Sequence, residues 1–280
     1  IQSKMQDSLT TILYGKNHPT KRLFDKKYMS EMSFDKMKGI YNSRFGNAGD
    51  FTFFIVGDVT KETIKPLLEK YIASIPTTDE KESWKDNSVD WITNKIDKDV
   101  YLEMKDPKTN VRVVVKNDMK YSLKNSILMR AIGDVLQLRY IESLREEEGG
   151  TYGASARGSI SRRPSQEATI SVSFDCNPEL AEKLIDIVHK EIEAIGNGDI
   201  QQVDLDKTLT NYLKEREENK NYNRFQMSLL KNSVMEGYNM NDPKNYEEII
   251  KSIKIEDLKK IAKTLLKDSK SYEIVFKPKK

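Results

Sequence analysis

The sequence predicts an α+β protein: two homologous units of mixed or antiparallel sheet packed with helices, the first of them truncated. Three observations carry this. Ala168, Ile170, Val172 and Phe174 alternate with Thr169, Ser171, Ser173 and Asp175, the period-two pattern of a half-buried strand. Leu128, Ala131, Val135, Leu138 and Ile141 recur at three- and four-residue spacing, which puts them on one face of a long helix. Finally, a constant offset of 221 positions aligns Phe34 with Ile255, Met37 with Leu258, Ile40 with Ile261, Phe45 with Leu266, Phe51 with Tyr272, Phe53 with Ile274 and Phe54 with Val275. A helix, a short turn and a strand thus occur twice, each time closing a unit.

Taken in order, residues 1–29 read as helical with a break around Gly15–Pro19. Ser33 is a fitting N-cap for a helix over Ser33–Phe45. Asp50–Val59 is mostly apolar and predicts a central strand. Thr60–Ile75 predicts an amphipathic helix that Pro76 ends. Residues 77–95 lose all periodicity and predict a linker, with Trp84 and Trp91 tacking it to a surface. Strands are expected at Val100–Met104 and Val111–Lys116, then the long helix, a hairpin turning at Arg162–Ser165, and a helix from Pro178 to Ile195 closed by Gly196–Gly198. Two helices over residues 200–239, one or two over Tyr246–Leu266 and a strand over Ser271–Phe276 complete the chain. The domains expected are therefore 1–76, partial; 77–95, linker; and 96–280, nearly complete.

Composition narrows the function. Lys+Arg 47 against Asp+Glu 44 leaves a net charge of +3 with interspersed signs, which offers no nucleic-acid face. Apolar runs reach about six residues, against the roughly twenty that span a bilayer, so a soluble protein of cytoplasm or periplasm is expected. No signal peptide is read at the start, and a first residue Ile1 suggests a piece of a longer protein. The single cysteine, Cys176, forms no internal disulfide.

The richest stretch runs from Tyr121 to Cys176. Its helix delivers Arg145 to the last turn, Gly149-Gly150 reverses the chain, and Tyr152 opens a strand, so a cation and a phenol stand seven positions apart around a bend. On spacing alone both have a structural reading. An arginine in a last helical turn complements the helix dipole, and a tyrosine at a strand start is ordinary. The two histidines, His18 and His189, are 171 positions apart and neither begins a His-x-x-Glu-His, so each is read as structural and the chain is expected to hold no metal.

RFGNAGDFTFFIVGDVT, a helix ending YIASIP, a polar linker, a fresh domain and LREEEGGTYG follow one another here. That order and spacing resemble the C-terminal half of a pitrilysin/insulinase-type zinc peptidase, the inverzincin class. The resemblance implies repeated α+β domains that close around a peptide-binding chamber, with zinc in the missing N-terminal half or a partner subunit. It implies that Arg145 binds the substrate backbone and that Tyr152 donates to the oxyanion. It also implies a peptide substrate, a zinc-bearing partner half and no activity in isolation. The alternative is a non-catalytic scaffold or partner subunit related to such peptidases.

Overall fold

In a computed structural model of the 280-residue chain, the described residues are 1–279 apart from 17, 106–107, 148, 150 and 238–242, and at 145–147, 152, 243 and 244 only the backbone is described. The helices are α1 (Gln2–Tyr14), α2 (Lys27–Glu31), α3 (Phe34–Phe45), α4 (Lys61–Tyr71), α5 (Leu123–Tyr140), α6 (Ala181–Asn197), α7 (Gln202–Asn219), α8 (Asn223–Glu236), α9 (Pro243–Ser252) and α10 (Ile255–Leu266). The strands are β1 (Lys95–Leu102), β2 (Thr109–Asp118), β3 (Thr151–Ile160), β4 (Glu167–Cys176) and β5 (Lys270–Pro278). The chain forms two compact units. The sheet unit takes Ile1–Leu23, Asp86–Lys214 and Lys244–Lys280; the small unit takes Phe24–Lys85 and Glu215–Pro243.

The sheet unit is the α+β domain that the alternation predicts. Its strands stand in the order β1-β5-β2-β4-β3, with β1 parallel to β5 and the other neighbours antiparallel. Valines at 111, 113 and 115 face a core built by α5, α6 and α10, to which α7 adds Leu205 and Tyr212 and α9 adds Ile250. Ala168, Ile170, Val172, Phe174 and Cys176 are buried in that core, every second residue of β4. Burial pushes the Cys176 thiol up to about 11, so it stays a protonated, unreactive group at neutral pH. The opposite face of the sheet is covered by α1, whose Met5, Leu9 and Leu13 meet Ile96, Val114, Tyr272, Ile274 and Phe276.

Trp91 anchors the end of the linker as expected. Its ring lies 5.1 Å from that of Tyr272, and the Lys116 ammonium sits 4.3 Å above it. Lys116, almost fully buried, is held there by Asp90 at 2.9 Å and Glu167 at 2.7 Å. Partial burial alone would raise the Asp90 carboxyl; bonds from Lys270 and Lys116 outweigh it and bring the group down to about 2. Trp84 differs from expectation: it is 66% exposed.

The small unit is another matter. Ser33 caps α3 by accepting from Lys36 N, and Thr60 and Thr63 form a capping box at the start of α4, so local rules are obeyed. Asn47 accepts from Gly49 N and Thr78 N, Asp50 accepts from Glu82 N, and Arg44 pairs with Glu82 at 2.8 Å, which ties the start of the linker to the turn after α3. Among the described residues, however, none in this unit is a buried hydrophobic. The strand expected over Asp50–Val59 is not formed: the backbone there belongs to no strand, and Phe51, Phe53 and Ile55 are exposed. Its apolar pattern specifies a strand flanked on both sides, and the described residues supply no ladder for it.

The 221-residue offset reaches further than the sequence suggested. It carries α3 onto α10, and it also carries residues 2–14 of α1 onto 223–235 of α8. The members of each pair lie in different units: α1 and α10 in the sheet unit, α3 and α8 in the small one.

Candidate functional site

The predicted pair falls where α5 gives way to β3. Ser122 caps α5 by accepting from Asn125 N at 3.0 Å. The buried face of α5 is centred on Ile132, Leu136 and Tyr140. Leu138, expected on that face, is 40% exposed; it stands about 200° around the helix from Leu136, since each residue turns about 100°. At the end of α5 the Tyr140 hydroxyl donates to Val188 O at 3.1 Å, and Arg139 bonds Glu191 at 2.6 Å and Asp199 O at 2.5 Å. Three contacts with α6 and the turn after it thus fix the orientation of the helix end.

Beyond Tyr140 the backbone widens into a π-helix over Ile141–Glu147, anchored by the fully buried Leu144. Single π-turns are rare and are frequent at functional sites. Arg145 lies in this turn. Gly149 then takes φ +59, the left-handed region in which glycine is unstrained; Gly150, the other residue of the predicted reversal, lies outside the described residues.

Tyr152 lies on a second irregularity. On β3, Thr151 stands opposite Cys176 and Ala154 opposite Phe174, so Tyr152 and Gly153 together oppose Asp175 alone. That is a β-bulge, which bends the strand and re-aims side chains at its site. The Thr151 hydroxyl accepts from Gly153 N at 3.2 Å and helps hold the bulge. The side chains of Arg145 and Tyr152 lie outside the described residues.

The chain then packs β3 directly against α5. A Cβ at Gly158 would come within 1.8 Å of Met129 O, and one at Gly133 within 2.1 Å of Gly158 N, so only glycines allow the two backbones to meet. Gln137 completes the seal: its Nε2 donates to Ala154 O at 2.7 Å and its Oε1 accepts from Ala156 N at 2.8 Å. Those are the groups a further strand would use, so one side-chain amide takes the place of a neighbour on this edge of the sheet. The sequence reading missed Gln137; the signal available was a glycine in mid-helix and another in mid-strand.

Metal chemistry finds no support in these side chains. Among the described residues no group of three His, Cys, Asp or Glu could hold an ion. His189 is bonded to Glu273 at 2.6 Å, and His18 accepts from Thr20 N at 3.2 Å. The described residues do not fit a zinc site. No described helix is long and apolar enough to cross a membrane.

A profile described as the peptidase M16 inactive domain matches residues 31–212, well over half of the chain. The chain belongs to the M16 peptidase family, the pitrilysin-like zinc proteases, through this inactive domain. It is 23% identical over 189 residues to a probable zinc protease PqqL of Haemophilus influenzae, and 27% identical over 186 residues to a zinc protease PQQL-like protein of Arabidopsis thaliana. Those matches take in 67% and 60% of this chain but only 20% and 19% of the relatives. Among solved structures it resembles the periplasmic protease PqqL from Escherichia coli, with a TM-score of 0.76 at 19% identity over 99% of this chain and 32% of that one. A peptidase M16 inactive domain from Pseudomonas fluorescens gives 0.74 at 15% identity, over 99% of this chain and 66% of that one. The expected α+β peptidase fold is therefore the observed one.

Proposed function

We propose that this chain is the part of a zinc endopeptidase that carries no metal, closes the peptide chamber and supplies Arg145 and Tyr152 to the substrate. The family supports the general reading. The observation that supports the particular one is local: the two residues singled out by the family resemblance lie on a π-turn and on a β-bulge, with Gly149 at positive φ between them.

The chemistry asked of them is modest. Zinc, held elsewhere, would supply an activated water. Amide hydrolysis places negative charge on the scissile carbonyl oxygen. The Tyr152 phenol donates a hydrogen bond to that oxygen, and the Arg145 guanidinium binds neighbouring carbonyls through its planar fork. Both groups hold the substrate; neither transfers a proton.

The test is Tyr152→Phe and Arg145→Ala in the complete protein, with kcat measured on a peptide substrate. A fall of roughly tenfold or more in each, with thermal stability unchanged, supports the roles. Near-wild-type rates in both remove them. A complete protein that holds no zinc and cleaves nothing would instead be a scaffold.

A further inference from the structure

The two edges of the sheet are treated differently. The β3 edge is sealed by α5 and Gln137, whereas among the described residues β1 closes the sheet on the other side with no strand beyond it. The ladder fixes which of its groups are open. Ser271 N donates to Asn94 O and Lys279 N to Leu102 O, so even-numbered residues of β1 turn their backbone polar groups towards β5. Odd-numbered residues turn theirs outward. The Thr93 hydroxyl takes Lys95 O, and among the described residues nothing bonds the outward groups of Asp97, Asp99 and Tyr101.

Side chains next to this edge also alternate. Ile96 is buried against α1, with Val100 and Leu102 packed beside it on the same face. On the other face Asp97 lines a cavity of about 440 Å³ together with Glu273 and with His189 and Glu193 of α6. Glu273 is bonded to His189 and Asp99 to Lys277. Among the described residues Asp97 and Glu193 make no ion pair, so this cavity carries two acids without an ion-pair partner beside Lys95 and the His189–Glu273 pair.

We propose that the β1 edge binds an extended peptide strand whose side chains alternate, basic towards Asp97 and the α6 cavity, apolar towards Val100 and Leu102. The backbone bonds would come from Asp97, Asp99 and Tyr101, as in other cases of strand addition. Paired antiparallel with a second copy of itself, β1 would set Lys98 against Lys98 and Asp97 against Asp99 twice if centred on Lys98, or an acid against itself if centred on Asp97 or Asp99; centred on Val100 it would set Asp99 against Tyr101 with no like-charge clash, and the test below separates that occupant from a peptide. The proposal stands apart from the roles of Arg145 and Tyr152, and its test reads binding rather than turnover.

The test follows backbone amide exchange in the 280-residue chain while an acetylated, amidated (Lys-Val)₄ peptide is titrated in. Expected is slowed exchange at Asp97, Asp99 and Tyr101, at least fivefold weaker binding of the Glu-Val analogue, and similar loss in Asp97→Lys. Asp99→Pro removes one outward N–H and the side-chain bond to Lys277 while leaving the backbone bonds to β5, so it should abolish binding with the fold retained by circular dichroism. Equal binding of both peptides, protection confined to other residues, or unchanged binding in Asp99→Pro would overturn the proposal. So would self-association through β1 without peptide.

Discussion

The same helix-turn-strand pattern occurs twice in this chain and meets two fates. In the sheet unit, Leu258, Ile261 and Leu265 of α10 are buried, and β5 lies between β1 and β2 with Ile274 and Phe276 at 0% exposure. In the small unit the matching residues Met37 and Ile40 are 60% and 63% exposed, and Phe53 and Ile55 are each 45% exposed. Apolar character is shared at most of the matched positions, although Leu265 aligns with Arg44 and Lys260 with Gly39, so hydrophobic pattern alone does not separate the copies. The difference is whether neighbours exist to satisfy both edges of the strand and both apolar faces. A strand is a property of its partners as much as of its sequence.

That contrast can be broken most sharply by truncation. Phe276→Ala should cost about 3–5 kcal/mol in urea unfolding of the sheet unit, the range for emptying a buried aromatic site. Ile55→Ala, its counterpart, should cost under about 0.5 kcal/mol, as exposed positions do. Equal costs would show that Phe51–Val56 is packed in solution. Hydrogen exchange gives the next largest effect: amides of β5 should exchange at least about a thousandfold more slowly than those of Phe51–Val56. Comparable protection would mean the small unit has its own ladder.

The smallest effect concerns a pair that one copy has and the other lacks. His189 bonds Glu273, whose counterpart is Thr52. The bond from Glu273 raises the imidazole's pKa, outweighing the burial that would lower it. The folded state therefore binds the proton more tightly than the unfolded one. The stabilisation is complete below the unfolded value near 6.5 and is lost as pH rises through the higher folded value. His189→Gln should flatten that slope while lowering stability at pH 5.5 by less than about 1 kcal/mol, since the imidazole is half exposed. A slope unaltered by the substitution would assign the titration elsewhere.

Much of the sheet unit was legible. The alternation of β4 names its buried residues, and Gly149 after the long helix takes the positive φ that its type suits. The Asp50–Val59 strand was misread because hydrophobic pattern reports what a segment can bury, whereas a ladder needs a second strand. Leu138 was misplaced because α5 is buried over a wide arc, against β3 on one side and α6 and α10 on others, and a single stripe underestimates such a helix. The position of the candidate site came from the family resemblance carried by LREEEGGTYG. Its π-turn and bulge did not, because neither has a periodic signal and both are set by contacts distant in sequence.

The exchange of helices between the repeats governs how this polypeptide can be divided. Since Ile1–Leu23 belongs with one unit and Phe24–Lys85 with the other, a nick anywhere in residues 77–95 yields two fragments, neither owning a whole unit. The shorter fragment carries off α1 with Met5, Leu9 and Leu13, and so uncovers Ile274 and Phe276 on the longer one. Expression boundaries drawn at the linker would therefore produce sticky, incomplete pieces, however natural that cut looks on paper.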